Sequence, residues 1–387
     1  MKKSLQKSKL ILNLLGFLFA LQVAMPTFIN SSFIDLRLPS KNLIGLLYAL
    51  GSFVAIFLLL KLPRILKYFG NYNLTLFLTA LHIVGLCVLA FSNTTPLILL
   101  MFLVGLIVNT IIFLNLDIFL EKYSVNVSTG NTRASFMTAI NSAWVLAPFI
   151  AGYILTNGDY WKIYLTAIFI LIPFLILLHF NFKNFKDTRY IATPFKGAIE
   201  KIKRNKNIKN IFVVKTFLSF FYSWMVIYTP IYLHQYMGMT WSAIGIVFTI
   251  MLLPFVIFAV PLGKLADKKY GEKEILVVGI LILSAFTIAL SFINNNIIWV
   301  WAVLLFMTRV GATAIEVATE SYFFKKINSK DTDIISIFRI ANPLAYIIGP
   351  VVASLIFIFV DFKYIFLVLG ALMPLSLKYA LQIKDTK

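Results

Sequence analysis

The chain has few of the residues from which disulfides, metal centres and catalytic sites are built. Its 387 residues include three histidines and a single cysteine, Cys87, and only 13% of the residues are charged. One cysteine cannot form an intrachain disulfide framework, and no two histidines are close enough in sequence to chelate a metal. We therefore expect neither a metal nor a cofactor.

The motifs of nucleotide-driven and hydrolytic enzymes are missing as well. The sequence contains no GxxxxGK phosphate-binding loop, no HExxH pair and no CxxC. Its Ser, His and Asp residues show no spacing that indicates an activated nucleophile. These absences exclude a built-in ATPase and leave no candidate catalytic residue.

Long apolar stretches dominate the chain instead. Hydrophobic residues make up 60% of it, against about 45–50% in a soluble domain. Because a helix needs about 20 apolar residues to cross a bilayer, the pattern predicts an all-α integral membrane protein with twelve transmembrane helices. The predicted spans are 10–31, 42–60, 74–92, 96–119, 134–156, 161–180, 210–233, 241–262, 274–293, 297–322, 334–359 and 364–382.

The basic residues indicate which helix ends lie in the cytoplasm. With the N-terminus inside, 28 of the 35 lysines and arginines fall in cytoplasmic segments and four in outer loops. We predict a multi-pass protein of the cell membrane with both termini cytoplasmic. Residues 1–28 resemble a signal peptide, but their apolar character continues, so we interpret them as the first transmembrane helix. The net charge of +20 follows from the positive-inside asymmetry, and we expect no nucleic-acid partner.

The second half of the chain repeats the first at an offset of about 200 residues. A basic cytoplasmic linker, 181–209, separates a predicted N-terminal six-helix bundle, 1–180, from a C-terminal one, 210–387. Paired features recur in the same order in both halves. They are Ile44-Gly45 and Ile244-Gly245, the loops that end at Gly70 and Gly271, the acid pairs Asp117/Glu121 and Glu316/Glu320, and the small-residue stretches that contain Pro148 and Pro350.

The loop that ends at Gly271 reads GKLADKKYG over 263–271. It resembles the glycine-x-leucine-alanine-aspartate-x-x-glycine signature of the major facilitator superfamily. The first-half copy, LPRILKYFGNYN at 62–73, has no aspartate, and the small-residue stretch of the fifth span has alanine at three glycine positions of a family motif. The resemblance implies two pseudo-symmetric six-helix bundles and a secondary transporter that moves a small solute by rocking one bundle against the other.

Arg309 stands about twelve residues into the tenth span, close to the middle of the membrane. A charge at that depth costs about 2.5–3.5 kcal/mol on insertion scales, so we expect it to face water or a partner. Its counterpart in the fourth span falls near Thr110, so the repeat does not require a charge there. Two interpretations stay open, which are contact with the solute and an ion pair with an acid on a neighbouring helix.

Glu316 and Glu320 follow one turn apart in the same span. Two carboxylates this close in a poorly hydrated place disfavour each other's ionisation, and a carboxylate that binds a proton can carry it through a transport cycle. We predict that Glu316, the deeper of the two, is the proton-coupling residue. Lys215, about five residues into the seventh span, is predicted to extend to the inner surface without a specific role.

A cytoplasmic gate is predicted at the inner helix ends, where ion pairs close the inner side while the transporter faces outward. Its residues are Asp267, Glu320, Arg339, Asp117, Glu121 and Arg133. In the alternative interpretation, the basic residues of the 263–271 loop only mark the cytoplasmic side.

Uncharged polar and aromatic residues at mid-depth are predicted to line a substrate cavity together with Arg309. They are Gln22, Asn109, Asn141, Trp144, Tyr222, Trp224, Asn342 and Tyr346. Packing or interhelical hydrogen bonding is the alternative for any one of them. His82, a lone histidine in the third span, is predicted to be structural.

These observations together predict transport of a small solute by alternating access, coupled to protons, in a monomer surrounded by the lipid bilayer. The resemblance of the small-residue stretch in the fifth span to a family motif implies efflux of amphipathic compounds, which is the primary prediction. Arg309 favours uptake of a sugar-like or anionic nutrient instead. An intramembrane enzyme and a sensor that no longer transports are the alternatives from other functional classes.

Overall fold

The computed structural model describes residues 2–39, 42–123, 129–155, 158–187, 200, 202, 204–266, 271–326 and 332–384. Within these ranges all regular secondary structure is helical, and eleven helices are long and apolar enough to cross a membrane. A shorter apolar stretch, Ile340–Ile356, belongs to a twelfth helix, Thr332–Ile356. The predicted fold class, an all-α membrane protein, is confirmed.

The first of two compact units comprises Met1–Pro39 and Leu50–Ala192. Its helices are α1 (Lys2–Asp35), α2 (Asn42–Phe69), α3 (Asn71–Phe91), α4 (Thr95–Tyr123), α5 (Thr129–Ile154) and α6 (Tyr160–Phe182). The first turns of α2, up to Ala49, group with the second unit. In the first unit α1 packs against α4, α5 and α6, and α3 packs against α4 and α6.

The second unit comprises Ser40–Ala49 and Thr193–Lys387. Its helices are α7 (Lys206–Ile231), α8 (Trp241–Leu265), α9 (Glu272–Leu290), α10 (Ile298–Lys326), α11 (Thr332–Ile356) and α12 (Phe362–Ala380). Here α7 packs against α10 and α11, and α9 packs against α10 and α12. The pairs α1–α4, α1–α5, α3–α4 and α3–α6 thus recur six helices later as α7–α10, α7–α11, α9–α10 and α9–α12.

Three helices of the second unit depart from regular α-helical geometry, and in α12 the departures are 3₁₀ turns at Phe362–Tyr364 and Met373–Ser376. α7 ends in a π-helical turn, Tyr232–Tyr236, and α8 is interrupted at Leu253 and at Phe258. The segments of α8 are Trp241–Leu252, Pro254–Ile257 and Ala259–Leu265. Pro254 and Pro261 lack the N–H that the interior of a helix requires, which accounts for the interruptions.

The expected loop at 62–73 is helical over its first part. α2 continues to Phe69, because Leu62 and Leu66 lie one turn apart and both are buried. The chain turns only at Gly70, whose φ is +70°, and Gly271 has a φ of +88° at the equivalent place in the second half. This left-handed region favours glycine, so the paired glycines mark the same turn in both halves.

Both halves place a carboxylate at the N-terminus of the helix that follows this turn. In the first unit Asp187, from the chain after α6, accepts a hydrogen bond from the backbone N–H of Asn71 at 2.9 Å. In the second unit Glu272 is buried at the start of α9, and its Oε1 accepts hydrogen bonds from Ser321 and Lys325. A negative charge there is stabilised by the helix dipole.

Candidate functional site

Arg309 occupies the middle of α10 and is 3% exposed. Its Cζ lies 5.0 Å from the ring centroid of Phe221 and 5.6 Å from that of Tyr222, both on α7. Its Nη1 has no hydrogen-bond partner among the described residues. Aromatic faces stabilise a guanidinium ion but do not satisfy all of its N–H donors, so the donors of Nη1 are buried and unmet among the described residues.

Glu316, two turns further along α10, is bound by two residues of α7. The hydroxyl of Tyr222 donates to Oε2 of Glu316 at 2.9 Å, and Nζ of Lys215 lies 3.5 Å from Oε1. The same Nζ lies 3.2 Å from Oε1 of Glu320. The side chain of Lys215 is 6% exposed, whereas those of Glu316 and Glu320 are 36% and 25% exposed. One buried cation is therefore shared by two partly exposed acids.

The expectation that Lys215 extends to the inner surface is wrong. α7 begins at Lys206, four residues before the predicted span, so Lys215 is nine residues, or about 13 Å, from the start of the helix. α10 runs in the opposite direction in the predicted topology, and Glu316 lies ten residues before its end at Lys326. The lysine and its acids therefore meet at matching depth and form an ion-paired set.

The remaining candidates of the second unit differ in their surroundings. Trp224 is fully buried, with its ring centroid 5.8 Å from that of Tyr228, so it belongs to the aromatic packing around α7. Asn342 on α11 is exposed, and its Oδ1 accepts a hydrogen bond from the hydroxyl of Ser219 on α7. Tyr346 is half-buried one turn further along α11.

In the first unit three polar side chains meet at mid-depth. Nε2 of His82 on α3 lies 3.1 Å from Oε1 of Gln22 on α1, and Nε2 of Gln22 donates to Oδ1 of Asn109 on α4 at 3.5 Å. Gln22 and His82 are buried, and Asn109 is half-buried. Sequence reasoning selected Gln22 and Asn109 but gave His82 no functional role. The sequence signal that could have identified this contact is depth: His82 lies at the middle of α3, as Gln22 lies near the middle of α1.

The other first-unit candidates, Asn141 and Trp144, lie one turn apart on α5 and are both half-buried. The ring of Trp144 stands edge-on to that of Phe28 on α1, with centroids 6.0 Å apart. The structure thus brings Trp144 into contact with α1.

The predicted cytoplasmic gate falls largely on parts of the chain that the structure does not describe. Asp267 lies outside the described residues, as do the side chains of Glu121, Arg133 and Arg339. Asp117 is half-buried on α4, and Glu320 contacts Lys215. The gate therefore stays a prediction.

Each unit thus has a set of polar side chains that contact one another across its helices. The set of the first unit consists of two amide side chains and a histidine ring. The set of the second unit contains two cations, Arg309 and Lys215, and two carboxylates, Glu316 and Glu320, so its formal charges balance among the described residues. Such a set can hold a polar solute through Arg309 and bind a proton at a carboxylate.

The architecture recurs in known membrane transporters. A family model described as Major Facilitator Superfamily matches residues 12–328 and again 216–381. The crystal structure of the nucleoside transporter NupG matches with a TM-score of 0.78 at 14% identity, over 97% of this chain and 100% of that chain. A mutant of NupG gives the same TM-score at 13% identity, over 97% and 99% of the two chains.

A bacterial homologue of the human lysosomal transporter Spinster, inward-facing and unoccupied, matches with a TM-score of 0.70 at 11% identity, over 98% of this chain and 94% of that chain. Identities this low show the shared fold. A search of curated proteins found no match.

Proposed function

Because the chain belongs to the Major Facilitator Superfamily, as a multi-pass membrane protein with the fold of a transporter, we propose that it takes up a small polar solute together with protons. The observation that carries this proposal is the guanidinium of Arg309, which is buried at mid-membrane with Nη1 unpartnered in the described part of the chain. A donor in that position is costly unless a ligand satisfies it.

The surroundings of Arg309 favour one class of solute. A carbonyl, hydroxyl or carboxylate oxygen satisfies Nη1, and the half-buried ring of Tyr222 lies beside the guanidinium. A cationic amphipathic compound would be repelled by the guanidinium. This geometry supports the uptake alternative over efflux of amphipathic compounds, for which the small-residue stretch of α5 is the supporting feature.

Nucleosides are the first solutes to test. They carry several acceptor atoms and an aromatic base, which match a guanidinium flanked by aromatic rings, and they are the solutes named for NupG. Aromatic carboxylates, which satisfy the same donor with a full charge, form the second class.

Glu316 is the proton-binding residue in this proposal. Lys215 contacts both Glu316 and Glu320, so protonation of Glu316 leaves the lysine with a carboxylate partner. The hydroxyl of Tyr222 keeps the side chain of Glu316 in place. A proton can therefore be bound and released without leaving a buried lysine unpaired.

A screen followed by flux measurements tests the proposal. Ligands that bind the purified protein raise its thermal stability by mass action, so nucleosides, sugars, aromatic carboxylates and cationic dyes are compared first. The binder is then measured in proteoliposomes with an imposed pH gradient. We expect concentrative uptake in the wild type, and we expect Glu316→Gln to keep solute exchange at equal pH but to lose accumulation. Glu274→Gln, an exposed acid at the start of α9, is the control.

Two results would contradict the proposal. Full accumulation of the solute by Glu316→Gln would show that Glu316 is not the proton-coupling residue. Stabilisation by cationic dyes alone, together with their pH-driven extrusion, would support efflux of amphipathic compounds instead.

A further inference from the structure

The contact between His82, Gln22 and Asn109 forms a relay of hydrogen bonds with a direction. If Nε2 of His82 carries a proton, it donates to Oε1 of Gln22, and the amide nitrogen of Gln22 then donates to Oδ1 of Asn109. The N–H donors of Asn109 Nδ2 are left at the open end of the relay. If Nε2 carried no proton, the side-chain amides of Gln22 and Asn109 would both rotate by half a turn, and Asn109 would present its oxygen at the open end.

The position of the proton on His82 is determined by its surroundings. In the described part of the chain, Gln22 is the hydrogen-bond partner of Nε2, and Nδ1 has none. On that side the ring faces Gly105, where an added Cβ would lie 3.8 Å from Nδ1. A proton on Nε2 is hydrogen-bonded to Gln22, whereas a proton on Nδ1 would have no acceptor among the described residues, which is unfavourable. The neutral ring therefore favours the form with Nε2–H.

The open end of the relay lies at mid-depth of α4. Gln22 and His82 are buried, while Asn109 is half-buried, so Asn109 is the exposed member of the three. An amide with unmet hydrogen-bonding groups is unfavourable against lipid at that depth, so its open side is expected to face a water-filled path.

We infer that His82 is a positioning residue, whose Nε2–H sets the direction of the relay so that Asn109 presents N–H donors to the solute. The inference rests on the proposed function for the existence of a solute, and it requires a hydrogen-bond acceptor on that solute. It also gives α3, a helix without a mid-depth charge, a part in specificity.

The form of His82 is measurable without any solute. The chain has three histidines, so ¹⁵N-histidine labelling in nanodiscs gives a simple spectrum, and His82→Gln assigns the signal of His82. We expect the Nε2–H form in the wild type. Gln22→Leu, which removes the acceptor, is expected to mix the two neutral forms, while the signals of His179 and His234 stay unchanged. A wild-type signal of the Nδ1–H form, or of the doubly protonated ring, would overturn the inference.

The effect on the solute is measured with uridine exchange in proteoliposomes. We expect His82→Leu to raise KM for uridine about tenfold, as loss of one oriented hydrogen bond implies, with the maximal rate unchanged. His82→Gln, which supplies an N–H donor, is expected to restore KM. An unchanged KM in His82→Leu, or equal loss of rate and thermal stability in both variants, would reject the positioning role. If the wild type exchanges no uridine, nucleosides are not the solute. The ¹⁵N measurement of which ring nitrogen of His82 carries the proton then tests the inference by itself.

Discussion

Nζ of Lys215 lies 3.2 Å from Oε1 of Glu320, and the side chain of Lys215 is only 6% exposed. We expect Lys215→Met to lower the free energy of unfolding by about 1–3 kcal/mol, because two neighbouring carboxylates lose their shared counter-ion. The loss is smaller than for a fully buried pair because both carboxylates are partly exposed. Thermal unfolding in detergent measures the loss. The double variant Lys215→Met/Glu320→Gln should recover part of it. A double variant as unstable as the sum of the single ones would indicate that the two residues are not coupled.

Removal of the guanidinium of Arg309 should weaken solute binding. A hydrogen bond to a charged group contributes about 1.5–3 kcal/mol, so we expect Arg309→Gln to raise the dissociation constant of the solute found by screening about ten- to hundredfold. Binding is measured by titration of the thermal shift. Arg204→Gln, an exposed arginine before α7, is the matched control and should bind as the wild type does. Equal affinity of Arg309→Gln and the wild type would remove Arg309 from the site.

The contact of α9 with α10 should not tolerate a larger residue at Gly311. An added Cβ would lie 2.6 Å from the backbone nitrogen of Leu283 and 2.7 Å from the carbonyl oxygen of Gly279. Helices in lipid pack through close approach of their backbones at small residues. We therefore expect Gly311→Ala to lower the free energy of unfolding by about 1–3 kcal/mol. Gly85→Ala is the control, since its nearest neighbour is Met101 O at 3.8 Å. Equal melting temperatures of the two variants would contradict the close packing.

The buried acid at the start of α9 should contribute more to the free energy of unfolding than the exposed acid two residues later. Glu272 is fully buried and accepts hydrogen bonds from Ser321 and Lys325, whereas Glu274 is exposed. We expect Glu272→Gln to cost about 1–3 kcal/mol of unfolding free energy and Glu274→Gln to change it by less than about 0.5 kcal/mol. Thermal unfolding of both variants checks the difference, and equal effects would show that burial of Glu272 contributes nothing.

The helices were predictable because the signal for a membrane span is local. Twenty consecutive apolar residues define a span regardless of its neighbours, and Gly70 and Gly271 mark equivalent turns through their own backbone conformation. The continuation of α2 to Phe69 was not predictable in this way. It depends on the burial of Leu62 and Leu66, which hydropathy does not distinguish from a loop next to the membrane.

The pairing of site residues was less predictable because it depends on the rotation and depth of two helices at once. Glu316 was identified from its own span, but its contact with Lys215 requires the start of α7 and the end of α10 to be known to within one turn. The same holds for His82 and Gln22, on α3 and α1. Residue type and depth indicate that a polar group needs a partner, and only the packing identifies which partner it has.

The interruptions of α8 have a mechanical consequence. Pro254 and Pro261 are seven residues apart, which is within about 20° of two complete helical turns, so the bends they introduce point in nearly the same direction and add together. The tip of the helix at Leu265 lies about 16 Å beyond the first proline, and a change of about 10° in that bend sweeps it sideways by about 3 Å. The segment with Gly263 and Lys264 lies beyond both interruptions of α8, so its position depends on the sum of the two bends, whereas Trp241 lies before both of them.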